Sequence, residues 1–244
     1  MTQEASLQLI EQDRAERFGC DPDVLRRPGV TVVPYAGGDA AWFAARVIRN
    51  EQSCAVIVPR GFVRAAEDAA ANRSIDDVCN PTFLDDLFGP AIVDRFRHSW
   101  IGYIDAEDFV PFERPSNAWR LDPGDRTALR QLRTACAADD WEDSGIVEHH
   151  DPVFGAFKGD ELVAAASWDR WAERIRHVGV ITHPAHRRSG HGAAVASAIT
   201  EYGLKQGHIL QWRTRMTNSA SRAIAVRLGY QKLTEAIGVR LSGE

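Results

Sequence analysis

Residues 178–199, VGVITHPAHRRSGHGAAVASAI, change character within one short span. A β-branched apolar run passes through paired arginines and two glycines, then continues as an alanine-rich helix former. The pattern reads as strand, turn and helix, with Arg187, Arg188, Gly190 and Gly192 at the joint. The first turn of a helix carries unpaired backbone N–H groups and the positive end of the dipole, so it attracts anions. Glycine lets a phosphate approach the backbone closely, and arginine supplies bidentate donors that match phosphate oxygens. Together these residues describe a pyrophosphate cradle. It is not a P-loop, because no Lys-Ser/Thr follows the glycines, and it is not a dinucleotide fingerprint, because Val195 stands where G-x-G-x-x-G needs its third glycine.

The chain has 244 residues, enough for one large domain or two small ones, and its 44% hydrophobic and 26% charged content is that of a globular protein. No apolar run is long enough to cross a bilayer, and the opening MTQEASLQLIEQDRAERFG has no signal-peptide core, so a cytoplasmic protein without membrane partners is expected. The formal net charge of −5 argues against a nucleic-acid binder and is compatible with a cationic substrate. Cys20, Cys54, Cys79 and Cys136 stand far apart and read as buried thiols. The histidines have no HExxH-like spacing, so no metal is expected.

Along the chain, a helix is predicted over 4–18, strands over 29–35, 41–49 and 53–59, helices over 61–72 and 80–89, and a strand over 99–105. The stretch 108–119 carries two prolines and reads as a linker. A clearer unit follows, in the order β-α-β-β-β-α-β-α-β, with a hairpin turn at Lys158-Gly159-Asp160 and Gly229 as a helix stop. The expected division is an N-terminal α/β accessory domain over 1–115 and a second domain over 116–244. SCAVIVPRGFVRAAEDAA in the first half parallels HVGVITHPAHRRSGHGAA in the second but has no G-x-G. A degenerate copy of the same fold is therefore one reading of the first half, and it should hold no cofactor.

The string R-R-S-G-H-G at 187–192 fits Q/R-x-x-G-x-G/A and follows a strand of the form V-x-T-x-P. Downstream stands N-x-x-S-x-x-I-x-x-x-L-G-Y, from Asn218 through Ser221 and Ile224 to Gly229-Tyr230. With these two motifs, residues 117–244 resemble the GCN5-related N-acetyltransferase (GNAT) superfamily. The resemblance implies an α/β (α+β) fold whose mixed central sheet splays between the strands at 174–182 and 208–217. It further implies that Val180 and Thr182 pair through their backbones with the acetyl and pantetheine groups of acetyl-CoA. The amides of Arg188, Ser189, Gly190, His191, Gly192 and Ala193 would hold the pyrophosphate beside Arg187, and Asn218 would contact the pantetheine arm. Asn218 is equally a good helix N-cap.

The implied reaction is attack of a primary amine on the thioester, which needs a base, a carbonyl polariser and sometimes an acid for the leaving thiolate. The tyrosine usual in the family seven residues after the asparagine is Ala225 here. The acid is then water, Tyr230 or Ser221, or the thiolate leaves unprotonated, or the domain is inactive. For the base, Glu148, His149 and His150 in VEHHD and His177 in the next strand are the candidates. Trp168, Trp171 and Trp212 would either wall the acceptor pocket or pack in the core. The expected function is acetyl transfer to a small-molecule amine, against two alternatives, a non-catalytic acyl-CoA sensor and a protein or peptide N-acetyltransferase. The accessory unit either shapes the acceptor pocket or makes a homodimer.

Overall fold

The computed structural model describes residues 3–18, 20–35, 45–113, 118–147 and 152–242. They fall into two compact units, one of Glu4–Ile101 with Arg215–Thr217 and Lys232–Glu244, the other of Gly102–Thr214 with Asn218–Gln231. The C-terminal segment thus belongs with the N-terminal residues, not with the residues that precede it.

The first unit opens with helix α1 (Gln3–Phe18), which has Glu4 in its first turn and Arg17 in its last, both favourable to the helix dipole. Strands β1 (Gly29–Pro34), β2 (Ala45–Arg49) and β3 (Ser53–Val58) follow. The run SCAVIV in β3 is buried along its whole length, as a strand covered on both faces must be. A 3-10 turn at Arg60–Phe62 leads into α2 (Val63–Ala70). Next comes α3 (Ile75–Val78), a single turn held by a Ser74–Asp77 capping box. Helix α4 (Pro81–Phe88) is capped by Asn80 and ended by Gly89 at φ 46°. The predicted strand at 99–105 is the inner end of a longer strand, β4 (Ile92–Ile104). Its outer half, IVDRFRH, is largely exposed and polar, which hid it from a reading based on apolar runs.

The second unit runs β5 (Ala118–Arg120), α5 (Arg126–Ala135), α6 (Ala138–Ser144), β6 (Val153–Lys158), β7 (Glu161–Arg170), β8 (Ile175–Thr182), α7 (His191–Lys205), β9 (Ile209–Arg215) and α8 (Ser219–Arg227). Among the described residues, helix α6 is an element the sequence pattern misses there. Its ADDWEDS offers only Trp141 to the core, so no apolar period is visible. Strand order is β9-β8-β7-β6-β5, antiparallel except for the parallel β8–β9 pair. This is the mixed α/β sheet expected. Leu129, Leu132 and Trp141 pack on Val153, Leu162, Ala165 and Ile181 to form one core. The small residues of α7 bring that helix close to the sheet, and a Cβ on Gly203 would stand 2.6 Å from the Trp168 ring. The part of the linker that is described is tied down: Val110 N–H donates to Leu228 O at 3.0 Å and Phe112 N–H to Ser197 Oγ at 3.0 Å.

The final strand, β10 (Gln231–Leu241), completes the first unit, where the order is β1-β3-β2-β10-β4. It pairs antiparallel with β2 from Glu235↔Arg49 to Val239↔Ala45. Val47, Val56, Val58, Phe83, Leu84, Ile237 and Val239 share the core there. Among the described residues no helix is long and apolar enough to cross a membrane.

Candidate functional site

Strands β8 and β9 pair only from Ile175↔Ile209 to Val178↔Trp212. Both continue, β8 to Thr182 and β9 to Arg215, so their far ends diverge. On its other side β8 stays in register with β7 up to Ala164↔Thr182. Backbone groups of β8 that would bond to β9 are therefore left facing open space, an unfilled strand position. A cavity of about 640 Å³ occupies the gap, lined by Val178, Val180, Thr182, Trp212 and Thr214 among others.

The turn after β8 opens into the same cavity. His183 Nδ1 accepts the Ala185 N–H at 3.1 Å and starts a short 3-10 turn, Pro184–His186. Arg188 at φ 63° and Gly190 at φ 88° are both left-handed, a conformation that costs Arg188 energy and costs Gly190 little. Helix α7 then begins with Gly190 as N-cap, and no side chain caps it. The first amide to bond back is that of Ala194, to Gly190 O at 3.0 Å. The N–H groups of His191, Gly192 and Ala193 therefore have no helical partner, and all three residues line the cavity. Gly192 permits the close contact with β8, since a Cβ there would lie 2.7 Å from Thr182 Oγ1.

Nine of the ten expected cofactor residues line this cavity: Val180, Thr182, Arg187, Arg188, Gly190, His191, Gly192, Ala193 and Asn218. Ser189 is exposed and outside the lining. Arg187 donates to Asp140 Oδ2 at 2.8 Å and, with Nε, to Thr182 O at 3.4 Å. Asn218 Oδ1 accepts the Ser221 N–H at 3.0 Å, so it caps α8 while facing the cavity. Burial, with smaller effects from His186 and Lys158, holds the His191 ring below its ordinary pKa.

The expected catalytic residues fare differently. Tyr230 is 2% exposed, bonds to Thr200 Oγ1 at 2.8 Å, and packs edge-on against Trp212. Burial pushes its hydroxyl above the usual phenol range, and it does not line the cavity. Its place is in the core. His177 also lies outside the lining, with its Nδ1 sealed from water and unpartnered. Burial first, then the Arg213 charge, lowers its pKa to about 4, so it is neutral and a weak base. Glu148, His149 and His150 lie outside the described residues. Trp212 does wall the cavity, whereas Trp168 packs on Tyr202 and His208, and Trp171 on His177.

Some of the other lining residues belong to no motif. Asp140, Asp143 and Ser144 come from the unforeseen α6, and Phe112 comes from the linker with the Arg227 guanidinium 4.7 Å from its ring centre. Ser221 Oγ accepts the Trp212 indole N–H at 3.0 Å and lines the cavity. Ala225, at the position of the family tyrosine, is fully buried.

The sequence profile of the GNAT acetyltransferase family matches residues 138–237. An acetyltransferase of the GNAT family from Colwellia psychrerythraea superposes with TM-score 0.50 at 17% identity, covering 65% of this chain and 61% of its own. A Drosophila protein superposes with TM-score 0.50 at 16% identity, covering 85% of this chain and 78% of its own. A Salmonella typhimurium structure holding its cofactor acetyl-CoA matches at TM-score 0.40 and 16% identity, over 54% of this chain and 96% of its own. No curated protein matches the sequence significantly. Identities this low speak for fold, and the profile covers the stretch that forms the splayed strands and the uncapped turn. Residues 138–237 of this chain match the GNAT acetyltransferase family and form its GNAT domain.

Proposed function

We propose that this chain transfers the acetyl group of acetyl-CoA to a primary amine on a small molecule, by direct attack on the thioester. One observation carries the reading: the unpaired edge of β8 and the uncapped first turn of α7 face a single cavity. That edge suits the amides of a pantetheine arm, and the turn suits a pyrophosphate. In the reaction the amine nitrogen adds to the thioester carbon, the C–S bond breaks, and CoA leaves as thiolate. An amide of the free β8 edge, with Val180 as the candidate, polarises the carbonyl.

The proton chemistry falls to the polar lining residues. The ammonium must lose a proton before attack, and Asp143 on the cavity wall favours a cationic acceptor, whereas Asp140 is engaged by Arg187. Ser221 is the candidate donor to the thiolate: its oxygen accepts from Trp212, so its own proton is directed elsewhere. The cavity volume lies in the range of small-molecule sites. Ala225 favours a second reading, an acyl-CoA-binding module without turnover.

Calorimetry with acetyl-CoA, followed by thiol release against an amine panel, tests the proposal. Amine-dependent CoA release supports it. Binding without release under any amine favours the sensor, release only with peptides favours a protein acceptor, and absence of acetyl-CoA binding overturns all three.

A further inference from the structure

Glu161 opens β7 just after the hairpin turn, while His183 caps and His186 ends the 3-10 turn that follows β8. One donor atom from each of the three lies within 4.8 Å of the others. His186 Nε2 is 3.2 Å from Glu161 Oε2, and His183 Nε2 is 3.7 Å from Glu161 Oε1. A tetrahedral ion with bonds of about 2.0–2.1 Å sets its ligand atoms about 3.4 Å apart. Each imidazole already stands near that spacing from an oxygen of the carboxylate, and all three donor atoms lie within 4.8 Å of one another.

We propose that Glu161, His183 and His186 form a binding site for a divalent cation of the zinc type, with the remaining position left to water. Two imidazoles and one carboxylate suit Zn²⁺, Co²⁺ or Ni²⁺ better than Mg²⁺ or Ca²⁺, which prefer all-oxygen shells. The imidazole side chains are 19% and 17% exposed and the carboxylate 54%, so an ion can enter from the Glu161 side. The spacing of His183 and His186 in the sequence says nothing about this site, because the third ligand arrives from the preceding hairpin.

The site is not fully preorganised. With Nδ1 of His183 accepting from Ala185 N–H, the neutral ring carries its proton on Nε2, toward Glu161. Coordination through Nε2 moves that proton to Nδ1 and opens the Ala185 bond. An opened backbone bond lowers affinity by about tenfold or more. The site should therefore bind more weakly than a closed structural zinc centre. His186 also lines the large cavity, so loading should change acetyl-CoA affinity, but the site itself does not depend on the acyl-transfer reading.

The test uses tag-free full-length protein. Co²⁺ is titrated with the visible d–d absorption as readout, and Zn²⁺ is titrated by calorimetry. One equivalent per chain with a tetrahedral-type band is expected. Glu161→Gln, His183→Gln and His186→Gln should each weaken binding at least about tenfold, while His208→Gln leaves it unchanged. Metal-free melting curves confirm that each variant folds. No saturable binding up to millimolar metal overturns the site. So does undiminished binding in any of the three ligand variants, or an equal loss in His208→Gln.

Discussion

Two strand-to-helix joints in this chain share an order of elements and differ in what they leave open. In the first, β3 passes through a 3-10 turn directly into α2. In the second, β8 passes through a 3-10 turn, then through the left-handed Arg188 and Gly190, into α7. The parallel partner of β3 stays with it to the end, from Gly29↔Ser53 to Pro34↔Val58, and Tyr35 N–H then bonds Val58 O at 2.7 Å. The parallel partner of β8 leaves after Val178↔Trp212. A helix N-terminus after a buried strand is thus common to both units. An anion turn beside an unfilled strand position occurs, among the described residues, at the second joint. Binding an extended thioester needs both features together.

The most severe way to break that comparison is to close the second joint. Gly190→Glu forces a side chain into a left-handed position and sets a carboxylate where the pyrophosphate would lie. Acetyl-CoA affinity should fall at least about 100-fold, which is about 2.7 kcal/mol. The matching change at the first joint, Gly61→Glu, meets nothing within 4 Å of its new Cβ and should leave affinity within about twofold. Calorimetry should also give one acetyl-CoA per chain. A second equivalent, abolished by the Gly61 change, would show that both joints bind.

A stability experiment is next in size. A Cβ on Gly179, in β8, would overlap the Gly145 carbonyl where α6 ends against the strand. Backbone cannot swing aside as a side chain can, so Gly179→Ala should cost about 2–3 kcal/mol in urea unfolding. Gly61→Ala should be near neutral. If Gly179→Ala were equally harmless, the contact between α6 and β8 that forms one wall of the cavity would not be as tight as described.

These two joints also show what the sequence could and could not reveal. The turn at 187–193 was legible because glycine, arginine and a strand-to-helix switch each leave a local signature, and most of the expected cofactor residues line the cavity. The splay itself has no local signature: Thr182 and Arg215 look like any strand residues. It could be expected only through the family resemblance. Asp140 and Asp143 were invisible because α6 buries a single tryptophan, and Phe112 because the linker is fixed by backbone bonds to Ser197 and Leu228. Tyr230 shows the opposite case: sequence position brings it near the motif, while packing against Trp212 and Thr200 turns it into the core.

The strands of the two joints should also differ in their response to acid. His177 in β8 has its pKa lowered to about 4 by burial, against about 6.5 when unfolded. Above pH 6.5 both states hold a neutral ring and pH has no effect through this group. As pH falls from 6.5 toward 4, the unfolded chain takes up a proton that the folded chain refuses, so stability declines. The residue keeps some surface exposure, so the loss should be about 1–2 kcal/mol rather than the full value of the shift. His177→Gln should flatten that window in unfolding measured at pH 7.5 and pH 5. Parallel behaviour of the two proteins would remove His177 as the source.

The smallest effect expected is also the one that bears most directly on how the open joint is kept ready. Arg187 reaches the turn from an ion pair with Asp140, and both side chains are 46% exposed, so the pair contributes at most about 1 kcal/mol to stability. The same guanidinium cannot serve Asp140 and a pyrophosphate with the same donors, so cofactor binding must compete with the carboxylate. Asp140→Asn removes the competitor and leaves Arg187 in place. Acetyl-CoA should then bind about two- to fivefold tighter at low salt, with the gain shrinking as ionic strength screens the charges. Melting temperature should move little. Weaker binding in Asp140→Asn would mean that the carboxylate positions Arg187 for the phosphates instead of competing with them, and Arg187→Ala would then lower affinity by the same factor as the double variant.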